Sequence, residues 1–139
     1  MKVLLDSNVI LDVAQEQQLF FGNSETVVSF VEAGQIEGYI CASSFSDLYY
    51  IIRKDKDRNL ALEFLREIVT FCQVATVDST AINMALNLNF RDFEDAIQYS
   101  TAVLNHLDAI ITRNPRDFPV ATPRIITPEE LIQELTTTP

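Results

Sequence analysis

Apolar and polar residues fall in blocks along this chain, and the spacing inside each block changes. Five short runs are apolar on both faces: Lys2–Leu5, Tyr39–Ala42, Val74–Val77, Ala109–Thr112 and Arg124–Ile126. Rich in Val and Ile and without a polar face, they read as strands of a sheet covered on both sides, the usual setting of parallel strands. Between them the spacing becomes helical. From Ser44 to Arg53, Phe45, Leu48, Tyr49 and Ile52 fall at i, i+3, i+4 and i+7. Similar stripes predict helices over Thr26–Ala33, Ala61–Phe71, Thr80–Leu88 and Arg91–Leu107, with another starting near Ser7. Asp78 or Ser79 is placed to cap the helix at Thr80. The clearest start signal is "TPEEL", with Thr127 as N-cap, Pro128 at the first helical position and Glu130 closing a capping box.

Strands alternating with helices predict an α/β fold: three layers, α/β/α, around a mainly parallel sheet of about five strands. A length of 139 residues with only 3 Gly predicts one domain over 1–139 rather than linked pieces. Right-handed crossovers would bring every strand's carboxyl end to one edge, and ligands of such sheets sit in a crevice beyond that edge. The residues just after each strand are therefore the ones to weigh.

Acids stand there repeatedly. Asp6 and Asn8 follow the first strand in "LLDSNVILD"; Asp47 follows the second in "CASSFSDL". Asp92 and Asp95 open the long helix that leads into the fourth strand, and Thr112, Asn114 and Asp117 follow that strand in "TRNPRDF". Each has a plain alternative. Asp6 can cap the helix near Ser7, Asp47 can close a capping box with Ser44, and Asp92 can cap its helix while Asp95 favours the positive helix end. Asn114 can cap a short turn before Pro115, and Asp117 can be a plain loop acid. Asp12 reads as a solvated acid. Yet Asp92 and Asp95, three apart, point the same way, and five acids from four distant segments would meet on one edge. Carboxylates within ~4–6 Å repel one another, so such a cluster calls for a cation. Mg²⁺ or Mn²⁺ suits hard oxygen ligands and can activate water for phosphodiester cleavage.

Composition narrows the chemistry further. Net charge is −10 with a pI near 4.4, which argues against a general basic coat for nucleic acid or an anionic membrane but leaves room for a local basic patch. Cys41 and Cys72 lie in apolar runs without CxxC spacing and read as buried hydrophobes, so zinc is disfavoured. His106 is the only histidine, and nothing near it resembles a nucleophile elbow. The start "MKVLLDSN" is not a signal peptide, and no apolar run reaches about 18 residues, so a cytoplasmic protein with no membrane span is expected.

With these segments in hand, the chain resembles the PIN domain family, in its VapC-like toxin branch. "MKVLLDSNVILD" resembles the family's opening strand and acid, "SSFSDLYYIIR" its second acidic segment, "DFEDAIQYSTA" its third and "IITRNPRDF" its last. The order and spacing cover nearly the whole chain. The resemblance implies a metal-dependent ribonuclease and an antitoxin partner. It makes Asp6 the first acid, Asp47 the second (where Glu is commoner), and Asp95 the third with Asp92 beside it. Asp117 matches the last acid, and Asn114 stands where the family often has Asp. Asn8 and Thr112 match polar residues that steady the first acid or the substrate. Ser7 stands where Thr is commoner.

Arg113 and Arg116 adjoin the acids and are the best phosphate contacts; few basic contacts imply modest, salt-sensitive RNA affinity. The cluster "RKDKDR" reads as a mixed-charge turn. Tyr49, Tyr50, Ile51 and Ile52 make one helix apolar on more than one side, which predicts a homodimer. Two other functions stay open at this point. One is a non-catalytic PIN-like module that binds RNA or protein. The other is phosphoryl transfer through an aspartyl-phosphate at Asp6, weakened by Asn8 where such enzymes carry an acid and by the lack of a Lys partner.

Overall fold

The computed structural model describes residues 1–16 and 19–137. Its five strands are β1 (Lys2–Leu5), β2 (Glu37–Cys41), β3 (Gln73–Ala75), β4 (Ala109–Ile111) and β5 (Arg124–Ile126). They form one all-parallel sheet in the order β3-β2-β1-β4-β5. The helices among the described residues are α1 (Ser7–Ala14), α2 (Phe21–Glu32), α3 (Phe45–Asp55), α4 (Arg58–Ile68), α5 (Ser79–Leu86), α6 (Phe93–Leu104) and α7 (Pro128–Thr137). This is the three-layer α/β/α arrangement expected from the alternating pattern. No helix among them is long and apolar enough to cross a membrane.

The two-sided strands explain the layers, because successive side chains point to opposite faces. Val3, Leu5, Ile40, Ala109 and Ile111 face one core, packed by α1, α2, α3, α4 and α7. Leu4, Cys41 and Ile110 face the other, covered by α6 through Ala102, with α5 packed on α6. Full burial of a side chain such as Leu4 or Ile110 stabilises by about 1.5–3 kcal/mol. Packing is close where α2 meets β2: a Cβ on Gly38 would lie 2.8 Å from both γ-carbons of Val31.

Several boundaries differ from expectation, each for a local reason. The helix expected at Ala61 begins at Arg58 because the Asp57 carboxylate accepts from the Leu60 amide at 2.8 Å. Asp57 belongs to "RKDKDR", so that cluster is a helix-to-helix corner. The long helix begins at Phe93 rather than Arg91 because Asp92 caps it. Asp78, not Ser79, caps α5 through the Ala81 amide at 3.0 Å. The strand β3 ends at Ala75, where pairing with Cys41 ends. The reciprocal Thr127–Glu130 box forms as expected, at 2.9 and 3.1 Å. Both cysteines are free and buried, and burial pushes the Cys72 thiol up to about 12. The helix α3 buries Leu48 and Ile52 but leaves Tyr50 and Ile51 exposed.

Candidate active site

The sheet order reverses at β1, whose neighbours are β2 on one side and β4 on the other. A crevice opens at such a reversal, beyond the strand ends. Register brings Leu5 opposite Ile111, so Asp6 and Thr112 leave the sheet side by side. The Asp6 amide donates to the Ile111 carbonyl at 2.9 Å. Asp6 stands at the N-cap of α1, yet its side chain makes no capping bond. Its carboxylate turns to the crevice instead. Thr112 Oγ1 donates to Oδ2 at 2.7 Å, and Gln98 Nε2 donates to Oδ1 at 3.1 Å. Asn8 backs this arrangement, with Nδ2 donating to Thr112 Oγ1 and Oδ1 accepting from the Arg113 amide, both at 3.4 Å.

Around Asp6 lies a cleft of about 320 Å³ lined by Asp6, Asn8, Asp47, Asp92, Glu94, Asp95, Gln98 and Asp117, with Ser7, Leu11, Leu48 and Ile51. Six carboxylates therefore share one cleft, and among the described residues no Lys or Arg lines it. The helix α3 brings Asp47 in its first turn; Ser44 makes no capping bond, so the alternative capping box does not form. At the start of α6, Asp92 Oδ1 accepts from the Asp95 amide at 3.1 Å. Asp92 thus caps the helix and lines the cleft at once, as its placement allowed. Asp117 comes from the short 3₁₀ turn Pro115–Asp117.

The electrostatics register this crowding. Burial pushes the Asp95 carboxyl up to about 7, with the charges of Asp6, Asp92, Asp117 and Glu94 adding to it. Burial likewise raises Glu94, opposed by a hydrogen bond from Ser7 Oγ at 3.2 Å and aided by Asp47, Asp6 and Asp92. Repulsion of this kind is what a divalent cation relieves. Among the described residues, no three side chains of His, Cys, Asp or Glu already stand together as a finished ligand set. The donors that line the cleft are nonetheless all oxygens of hard character or neutral amides, which fits Mg²⁺ or Mn²⁺ and not zinc.

Asp12 and Arg113 sit in a different geometry from the one expected. Asp12, read as solvated, is fully buried: Ser24 Oγ donates to it at 2.8 Å and Arg113 Nε lies 3.0 Å away. Burial raises its carboxyl despite both partners. Arg113, expected to meet phosphate, is drawn to Asp12 and lies 4.1 Å from the centre of the Phe20 ring. Neither its side chain nor those of Asn114 and Arg116 line the cleft; the last two are exposed beside it. His106 lies at the opposite, amino-terminal edge of the sheet, near Met1 and Glu37. Two cleft residues were missed, Glu94 and Gln98. Spacing offered the signal: Gln98 is a polar residue in an apolar stretch, four after Glu94 and three after Asp95, hence on their face of the helix.

A family model described as a PIN domain matches residues 2–116. No curated protein sequence matches the chain. Among solved structures, VapBC2 of Rickettsia felis, bound to a DNA fragment from its promoter, is similar with a TM-score of 0.67 at 14% identity, over 91% of this chain and 97% of that one. A toxin–antitoxin complex from Klebsiella pneumoniae is similar with a TM-score of 0.67 at 21% identity, over 91% and 97%. VapC20 of Mycobacterium tuberculosis, a toxin that cleaves the sarcin-ricin loop, gives 0.63 at 8% identity, over 78% and 86%. At these identities the likeness is one of fold.

Proposed function

The chain belongs to the PIN domain family, and from that premise we propose that it is a Mg²⁺- or Mn²⁺-dependent endoribonuclease that hydrolyses RNA phosphodiester bonds in the acidic cleft. One observation carries the reading: acids from β1, α3, α6 and the turn after β4 line a single cleft at the sheet's reversal point, with no cationic side chain in its lining. Asp6, Asp92, Asp95 and Asp117 would hold the ion, and Asp47 completes the catalytic acids. A bound ion would supply water activation and charge stabilisation at the leaving oxygen. Thr112, Gln98 and Asn8 steady Asp6. Arg116 and Asn114, exposed beside the cleft, would meet the RNA backbone; Arg113 would do so only by leaving Asp12.

The three similar structures support a toxin role with a protein antitoxin as partner, since two are toxin–antitoxin complexes and the third is a toxin that cleaves the sarcin-ricin loop. Exposed Tyr50 and Ile51 on α3 support a homodimer through that helix. A non-catalytic binding module is the second reading, favoured by Asn114 lying outside the cleft. An aspartyl-phosphate route fits poorly, because Asn8 stands where such enzymes carry an acid and no Lys is among the described residues that line the cleft. The deciding experiment is an RNA cleavage assay with Mn²⁺, with EDTA, and with Asp6→Asn. Cleavage that needs the ion and Asp6 is expected. RNA binding without cleavage in Mn²⁺ would hand the case to the binding module.

A further inference from the structure

Gln98 sits in α6 with 1% of its surface exposed, among carboxylates on a chain of net charge −10. Its Nε2 donates to Asp6 Oδ1 at 3.1 Å. Its Oε1 is buried and has no hydrogen-bond partner among the described residues. The two facts belong together. Turning the amide over would set its oxygen against the Asp6 carboxylate, so the donor must face Asp6 and the acceptor is left orphaned. An orphaned buried acceptor is costly. A Met or Leu would fill the same space without that cost, so packing alone does not account for an amide here.

The choice of a neutral donor also has a reason. A buried carboxylate needs hydrogen bonds to stay charged. Each carboxylate oxygen offers about two lone-pair sites. Thr112 takes one on Oδ2 and Gln98 one on Oδ1, leaving one on each oxygen free. A Lys or Arg in place of Gln98 would also steady Asp6, but it would compete with a cation for the same charge. Arg113, next to Thr112 in the chain, is held by Asp12.

We propose that Gln98 is a positioning residue for Asp6: its neutral amide fixes the carboxylate toward the acidic cleft and leaves its outer lone pairs free for a divalent cation. The inference rests on the metal-site reading above. Gln98 does not itself contact RNA or the reacting atoms.

The test is Mn²⁺ titration calorimetry on the unaltered chain, Gln98→Met and Gln98→Asn, with melting curves in EDTA. Loss of a residue that orients a metal ligand typically weakens the metal about 10- to 100-fold. Gln98→Met should show that loss while melting in EDTA at or above the unaltered midpoint, since its orphaned acceptor is gone. Packing alone would give the reverse split, a lower midpoint with unchanged Mn²⁺ affinity. Gln98→Asn, which keeps the amide but withdraws it by one methylene, should also bind more weakly. Unaltered affinity in either folded variant would overturn this inference alone. No Mn²⁺ binding by the unaltered chain would overturn the metal-site reading and this inference with it. Should both variants fail to fold, the Gln98 side-chain amide resonances of the unaltered chain decide. They should shift on Mg²⁺ saturation, and resonances that stay fixed while Asp95 signals move would overturn the assignment.

Discussion

Replacing Asp95 with Asn should stabilise the ion-free protein at pH 8. Burial, then the charges of Asp6, Asp92, Asp117 and Glu94, push the Asp95 carboxyl from 3.8 to about 7. In the unfolded chain the group ionises near its ordinary value, about 3.9. Between those two values the folded form holds a proton that the unfolded form has lost. Stability therefore falls as pH rises through that window, and the full penalty is present above about pH 7. About three units at roughly 1.36 kcal/mol each set a ceiling near 4 kcal/mol. The side chain is half-buried, and solvent screens much of that, leaving about 1–2 kcal/mol. Asn keeps the shape and removes the charge, and the cap from Asp92 goes to the Asp95 backbone amide, so it survives. In EDTA the variant should melt about 3–8 °C above the unaltered chain at pH 8, with the gap closing near pH 3. Adding Mn²⁺ should raise the midpoint of the unaltered chain by mass action and move the variant far less. A variant that melts lower at pH 8 without metal would refute the reasoning. Asp95 would then serve its helix end rather than crowd its neighbours.

Other expectations follow from the same geometry. Asp12→Ala leaves Arg113 beside an emptied apolar site; with the Arg113 side chain 27% exposed, the loss should fall below the 3–5 kcal/mol of a fully buried pair, at about 2 kcal/mol in urea melts, and an unmoved midpoint would mean the pair contributes nothing. Arg116→Ala should weaken RNA binding and lower its salt slope by about 1, whereas Arg113→Ala should mainly cost stability; equal effects on the slope would place both at the RNA. Gly38→Ala forces the new methyl against Val31 and should destabilise by about 1–3 kcal/mol, which thermal melts of the two proteins would check.

Much of this molecule was readable along the chain because its periodicities are local. Strands apolar on both faces, such as Ala109–Ile111, could only lie inside a covered parallel sheet, and that placement alone sent Asp6, Asp47 and Asp117 to one edge. Caps such as Thr127 act within a single turn, so they too were visible. What the chain alone left open was every choice of partner from a distant segment. Asp12 has the local pattern of a solvated acid, but folding closes α2 over it and supplies Ser24 and Arg113. Gln98 meets Asp6 from 92 residues away, and no local rule says that an amide in an apolar stretch will find a carboxylate. Asp6 itself could have capped its helix. It turns to the cleft because Thr112 and Gln98, brought alongside by β4 and α6, offer its carboxylate two donors there that the helix end would have had to match.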